Sequence, residues 1–290
     1  MFSKKFRRAY LVTSALTVMS LAGCADGGAG AGGALQVSGS TTVAPVAADA
    51  AEALKADGLD ITVATQGGSA GGISQLASGQ IDIAMSSKPL AKEDKAANPD
   101  TDFLTTQIGA DAVGVIVTKQ VADAGVKNLT AAQVRGLFEG KITNWSEVGG
   151  PDLDVFVYDK EPGRGTREVL DKYLYGDEKA PPPPKSGNFA IVGGNLETRN
   201  KLESTPGAVA PLSTSFVEGR DGLAAVTLDG IVPSPENIAS GKYPMSRPLY
   251  LFTDGKPEGS AKEFIDYVLT SKGQKLMTKH GYLTLKNIGK

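Results

Sequence analysis

Apolar residues recur along the chain in two alternating rhythms, short runs that read as strands and i, i+3, i+4 stripes that read as helices. Val46, Ala50, Ala53 and Leu54 mark a helix behind Pro45, a favourable first-turn residue, and Gly58 stops it. Leu59, Ile61 and Val63 alternate as a strand, Ile73, Leu76 and Ala77 form a short helix ended at Gly79, and IDIAM from Ile81 is a further strand. The unbroken run AVGVIV from Ala112 reads as a buried strand. Thr130 and Gln133 make a capping box for a helix carrying Val134, Leu137 and Phe138. VFVY from Val155 leads to a helix with the stripe Val169, Leu170, Tyr173 and Leu174, and PPPPKSG from Pro181 is an exposed loop. GAVAPL and AAVTL read as strands and Ser234-Pro235 as a helix start. LYLF from Leu249 is a strand, and Ser260 with Glu263 caps a last helix bearing Phe264, Ile265, Val268 and Leu269. Strands alternating with helices predict an α/β fold with largely parallel sheets.

The first residues follow a different logic. Lys4, Lys5, Arg7 and Arg8 precede an uncharged apolar run from Ala9 to Ala22, the charged and apolar regions of an export signal, too short for an ordinary membrane span. Leu21-Ala22-Gly23-Cys24 resembles the lipobox of bacterial lipoproteins, which implies cleavage after residue 23 and acylation of Cys24. Cys24 is the sole cysteine, so no intrachain disulfide is possible. Residues 24–34 are almost entirely Gly and Ala and cannot bury a core, so they read as a flexible tether. A lipid-anchored protein on the extracytoplasmic face of a membrane is expected.

Thirty basic against 32 acidic residues leave no electrostatic footprint for nucleic acid. Net charge cannot recruit an anion, so local donors must. Three segments supply them where a strand should end and a helix begin: SGSTTVAP from Ser38, QGGSAGGI from Gln66 and EPGRGTRE from Glu161. The first turn of a helix has unpaired N–H groups and the positive end of the dipole, so three such turns facing one point make a cage for an oxyanion.

Those three turns, with DIAMSSKPL, LTAAQVRGLFEGKITNWSEVGG from Leu129, NIASGKYPMSRPLYLFT from Asn237 and the ending FIDYVLTSKGQKLMTKHGYLTL, resemble the phosphate-binding lipoproteins of bacterial phosphate ABC transporters. The resemblance implies a two-lobed periplasmic binding protein of type II, each lobe a mixed sheet flanked by helices, with a two-strand hinge. It places residues 35–110 and 247–290 in lobe 1 and residues 111–246 in lobe 2. It implies a non-enzymatic, monomeric binder of inorganic phosphate that needs no cofactor and delivers its ligand to membrane permease subunits.

Carried across, the resemblance assigns ligand contact to Ser40, Thr41, Thr42, Ser69, Ser87, Gly165 and Thr166. Arg164 stands where serine is usual in the family's GSGT turn, putting a permanent cation there. Lys160 lies at the position of an arginine that touches phosphate in some members. Some members also carry an aspartate just before the PL of the second-strand loop, where it accepts the ligand's proton and rejects sulfate. Here the loop reads Ser86-Ser87-Lys88-Pro89-Leu90, and Asp111 is the expected substitute acceptor, its competing reading being a strand-end residue paired with a lysine. The missing aspartate keeps sulfate and molybdate open as ligands.

Two other motif matches point to enzymes. Gly28, Gly30 and Gly33 fit GxGxxG but lie in the tether with no strand before them. Gly67, Ser69 and Gly71 fit the GxSxG nucleophile elbow, with Asp266 and His280 in the order of a hydrolase triad. Only about thirty-five residues lie between the tether and Ser69, too few for the several strands that normally come before such an elbow. His280, the only histidine, reads as a solvated helix end. One histidine and one cysteine leave no zinc constellation. Trp145 and Phe138 read as core, and Lys272, Lys275 and Lys279 as a solvated face.

Overall fold

The computed structural model describes residues 33–290; the export signal, Cys24 and all of the tether but its last two residues lie outside the described residues. Strand and helix alternate from the start, as β1 (Leu35–Gly39), α1 (Ala44–Lys55), β2 (Ile61–Ala64), α2 (Gly68–Ala77) and β3 (Ile83–Ser86). Both β2 and β3 pair with β1 in parallel. After α3 (Lys92–Ala97) comes β4 (Phe103–Thr118), a strand of 16 residues. Its last third is the apolar run expected from Ala112. Its first part, with Thr105, Thr106 and Gln107 half-buried or exposed, lacks an apolar signal because ladder hydrogen bonds rather than burial hold it.

A second series follows: α4 (Lys119–Asp123), β5 (Asn128–Leu129), α5 (Ala131–Phe138), β6 (Phe156–Lys160), α6 (Gly165–Tyr175), β7 (Phe189–Val192), α7 (Asn195–Ser204), β8 (Ala208–Ser213), β9 (Leu223–Ala225), β10 (Thr227–Leu228) and α8 (Pro235–Ala239). The capping box at α5 forms as expected, Thr130 Oγ1 accepting from Gln133 N at 3.2 Å and Gln133 Oε1 from Thr130 N at 2.9 Å. Ser234 likewise caps α8. The chain then returns through β11 (Ser246–Asp254), α9 (Gly259–Leu269) and α10 (Ser271–Lys279). The expected cap at Ser260 and Glu263 is absent. Glu258 is the N-cap of α9, which puts Ser260 inside the first turn, and it is Thr270 that caps α10, accepting from Gly273 N.

The strands order as β2-β1-β3-β11-β4-β8-β6-β7, with β9 also on β4. Each side of the order is mixed: β11 is antiparallel to β3 and β4, whereas β6 is parallel to β7 and β8. Apolar side chains collect on the two sides into separate cores. One draws on residues such as Val37, Val46, Met85, Leu251 and Phe264, the other on Val115, Leu137, Trp145, Val209 and Met245. Trp145 is fully buried, its Nε1 donating to Gly207 O at 2.8 Å, in keeping with its reading as core. β4 runs through both sides, pairing with β11 up to Ala112 and with β8 from Val113. No helix among the described residues is long and apolar enough to cross a membrane.

Candidate functional site

The C-terminal ends of β1, β2 and β6 each pass into a helix through the glycine and hydroxyl turns read from sequence. Gly67 takes a positive φ of 73° as N-cap of α2, a conformation that suits glycine. Ser40 Oγ accepts from the backbone N–H of Thr42 at 3.2 Å and of Val43 at 3.4 Å, fixing the turn before α1. A fourth turn joins them: Gly193 and Gly194 lead from β7 into α7 at Asn195. The four meet around a small, largely polar cavity of about 10 Å³. That is far below the roughly 300–1,000 Å³ of pockets for drug-sized organic ligands, and leaves room only for a small ion or water.

Ser40, Thr41, Thr42, Ser69, Ser87, Arg164, Gly165 and Thr166 all line this cavity, together with Lys160, Gly68, Gly193 and Asn195. Ser87 is the hub of its hydroxyls. Its Oγ accepts from Ser40 Oγ at 3.0 Å and lies 3.4 Å from Ser69 Oγ, and its N–H donates to Ser69 Oγ at 3.2 Å. Asn195 Nδ2 donates to Thr42 Oγ1 at 2.9 Å, joining residues that precede and follow β4.

Behind the hydroxyls lies a cation that the motif reading does not single out. Arg247 opens β11 and stands opposite Asp111 of β4 in the ladder, which brings their side chains together on one face. Its Nε and Nη2 donate to Asp111 Oδ2 at 3.1 and 2.7 Å, and both side chains are only 1% exposed. The remaining guanidinium donors reach the cavity wall, Nη2 to Thr42 Oγ1 at 3.0 Å and Nη1 to Thr166 Oγ1 at 3.0 Å and Ser87 Oγ at 3.4 Å.

Asp111 itself does not line this cavity. Its second oxygen accepts from Ser213 Oγ at 3.0 Å, and the residue borders a different groove with Thr214, Ser215 and Tyr282. The aspartate expected at a strand end thus lies in the middle of β4 and is paired with an arginine rather than a lysine. Arg164 donates twice to Glu161 Oε2, at 3.0 and 2.5 Å, and its stem packs over Gly68. Lys160 is 1% exposed and bonds only neutral acceptors, the carbonyls of Gly193 and Gly194, Asn195 Oδ1 and Thr198 Oγ1. Burial, and then Arg164 and Arg247, push its ammonium pKa down to about 7. Two of the three cations thus have carboxylate partners within hydrogen-bonding distance, while Lys160 has only neutral ones, with the Glu197 carboxylate acting on it from farther off.

The sequence matches the family described as PBP superfamily domain over residues 25–272. It is 32% identical over 262 residues to the phosphate-binding protein PstS of Bacillus subtilis, covering 89% of this chain and 83% of that one. The chain belongs to the PstS family of the PBP superfamily. A PstS of Borreliella burgdorferi is 26% identical over 262 residues, with 87% of this chain and 90% of that protein covered. Among solved structures, a substrate-binding protein with bound phosphate from Clostridium perfringens superposes with a TM-score of 0.77 at 31% identity, over 87% of this chain and 100% of that one. An ABC-type phosphate transport receptor from Vibrio cholerae gives 0.69 at 28% identity, over 86% and 99%. The periplasmic-binding-protein fold expected from sequence is the fold of this PstS-family chain.

The hydrolase constellation does not assemble in this PstS-family protein. Ser69 bonds Ser87, Asp266 pairs with Lys262, and His280 Nε2 lies 2.9 Å from Asp49 Oδ2. His280, expected to be solvated, is instead half-buried and shares Asp49 with Lys279. Among the described residues no group of His, Cys, Asp and Glu is arranged to hold a metal ion.

Two residues at or behind the cavity wall escaped the motif reading. Asn195 follows VGG, a strand end running into a helix start like the other three, but with one hydroxyl-free glycine pair and a weak apolar stripe behind it. Arg247 sits in MSRPLYLF, where a lone cation inside an apolar strand is itself the signal, since such a charge is buried only with a partner.

Proposed function

We propose that this chain captures inorganic phosphate outside the cytoplasm and delivers it to the permease subunits of an ABC transporter for import. The observation that carries the reading is the convergence of four helix starts and the buried Arg247 on one ion-sized cavity. The anion exchanges its water for the hydroxyls of Ser40, Thr41, Thr42, Ser69, Ser87 and Thr166 and for backbone N–H groups that include Gly165. Arg164 closes the rim, and Asp111 acts through Arg247, which it holds in place. Residues 35–110 and 247–290 serve as one lobe and 111–246 as the other, with β4 and the start of β11 as the hinge. Residues 1–23 act as an export signal, and Cys24 carries the lipid that anchors a monomeric protein by the tether of residues 24–34. The ligand is bound and released unchanged, as in the binding proteins to which the chain is related.

No carboxylate lines the cavity, so hydroxyl oxygens are the available acceptors for a ligand proton. That keeps sulfate and molybdate as the second reading. Isothermal titration of the anion-stripped protein with all three anions at two pH values decides. Phosphate alone should bind, in the micromolar range or tighter, about 8 kcal/mol or more. Equal or tighter binding of sulfate would overturn phosphate as the ligand, and no binding of any would overturn the function.

Lys160 supplies a further expected result. Its pKa in the folded chain lies below the ordinary 10.5, so between about 7 and 10.5 the unfolded chain binds the proton and the folded chain does not; on this account stability rises with pH through that window. An anion beside Lys160 favours the ammonium. Binding at pH 8 should therefore take up a fraction of a proton, read as a dependence of apparent enthalpy on the ionisation heat of the buffer. Lys160→Met should remove that dependence.

A further inference from the structure

One buried charge outside the cavity joins the two sides of the molecule. Lys88 follows β3 and is 4% exposed. Its Nζ lies 2.8 Å from Asp94 Oδ2, on α3 of the same side, and 3.2 Å from Glu168 Oε1, in the first turn of α6 across the cavity. It does not line the anion cavity. We propose that Lys88 sets the affinity and release rate of the ligand without touching it, by clamping Glu168 across the closed cleft; this rests on the reading of the cleft as a hinged anion site.

Closure changes which charges face one another. With the cleft parted, Lys88 keeps Asp94 and the Glu168 carboxylate is hydrated. Closing brings Glu168 up to the same ammonium, and burial is the largest influence on it, pushing its carboxyl pKa up against the attraction of Lys88. Removing the ammonium leaves two carboxylates, Asp94 and the 39% exposed Glu168, drawn together at a partly solvated seam with no cation between them. Lys88 therefore favours closure chiefly by cancelling a repulsion. The mark of that mechanism is that deleting Lys88 harms closure and deleting the charge of Glu168 as well repairs it.

The same seam carries a reporter. Ala70 N donates to Gly163 O at 3.0 Å, a backbone hydrogen bond from α2 to the turn before α6, so protection of the Ala70 amide follows closure. The experiment compares wild type with Lys88→Met, Glu168→Lys and Lys88→Met/Glu168→Gln, reading phosphate dissociation by stopped flow and hydrogen exchange at Ala70 in the full chain. The two single variants should each release phosphate and exchange Ala70 about tenfold faster, with amides of β4 unchanged, and the double variant should return to within about threefold of wild type. Glu168→Lys keeps the test intact where loss of Lys88 disturbs the loop. Wild-type rates in both single variants would overturn the clamp, as would a double variant as impaired as Lys88→Met. A wild type that binds no phosphate would overturn the functional reading instead, while Ala70 exchange would still decide the clamp.

Discussion

Arg247→Met is expected to reduce phosphate affinity by about 100-fold or more and to destabilise the fold by about 3–5 kcal/mol, because it removes one member of a buried ion pair. Asp111 would be left 2% exposed with only Ser213 to bond it, and Thr42, Ser87 and Thr166 would lose the donors that orient their hydroxyls toward the cavity. Arg247→Lys should recover little affinity, since one ammonium cannot reach Asp111, Thr42 and Thr166 in the planar spread of the guanidinium. The two effects come apart in Arg247→Met/Asp111→Asn. That double variant removes both charges, so urea denaturation should show most of the stability regained, while titration calorimetry shows phosphate affinity still lost. Recovery of binding in the double variant would mean that Arg247 serves the fold alone.

Gly165→Ala is expected to behave in the opposite way, with stability held or slightly raised and binding lost. Gly165 is the first residue of α6, where alanine is the better helix former by about 1 kcal/mol. A Cβ there would stand 2.4 Å from Ser87 Oγ, 2.9 Å from Ser87 O and 3.0 Å from Ser69 Oγ. Two of these atoms are the hydroxyls of the cavity and the third is backbone, so the clash is relieved only by moving α6 away from β3. A cleft held apart at that point loses the simultaneous engagement of both walls, and phosphate affinity should fall by about 100-fold. Thermal unfolding and titration of the same preparation check both halves of the expectation. A melting temperature that falls together with the affinity would show a folding defect instead.

The sites of chemistry were legible wherever a strand ran into a glycine and hydroxyl turn, because the unpaired N–H groups of a helix start leave a local mark on sequence. Ser40 to Thr42, Ser69 and Arg164 to Thr166 are such marks, and all face one cavity. Ser87 was legible only through family resemblance. Pairings between distant strands left no local mark. Asp111 and Arg247 are 136 residues apart and meet because β4 and β11 are ladder neighbours, so an aspartate expected at the ligand lies off the cavity and pairs with an arginine whose other donors reach the cavity wall. The first part of β4 was missed for a similar reason, being held by cross-strand hydrogen bonds and not by an apolar face. The cap assigned to Ser260 failed because a good N-cap residue is equally compatible with the second position of a helix that has already begun.

The position of β11 between β3 and β4 also orders events during synthesis. The core built on residues 112–245 is continuous and complete before β11 emerges, whereas the core that holds β1 to β3 draws the strand that links β3 to β4 and two covering helices from residues 246–279. A nascent chain stopped at Met245 would therefore carry one finished half beside a parallel three-stranded sheet whose β3 edge has no partner. Such an edge is a template for pairing with another chain. Residues 246–279 thus act as an intramolecular protector of that edge, and β3 and the first part of β4 gain their shared partner only once β11 has emerged.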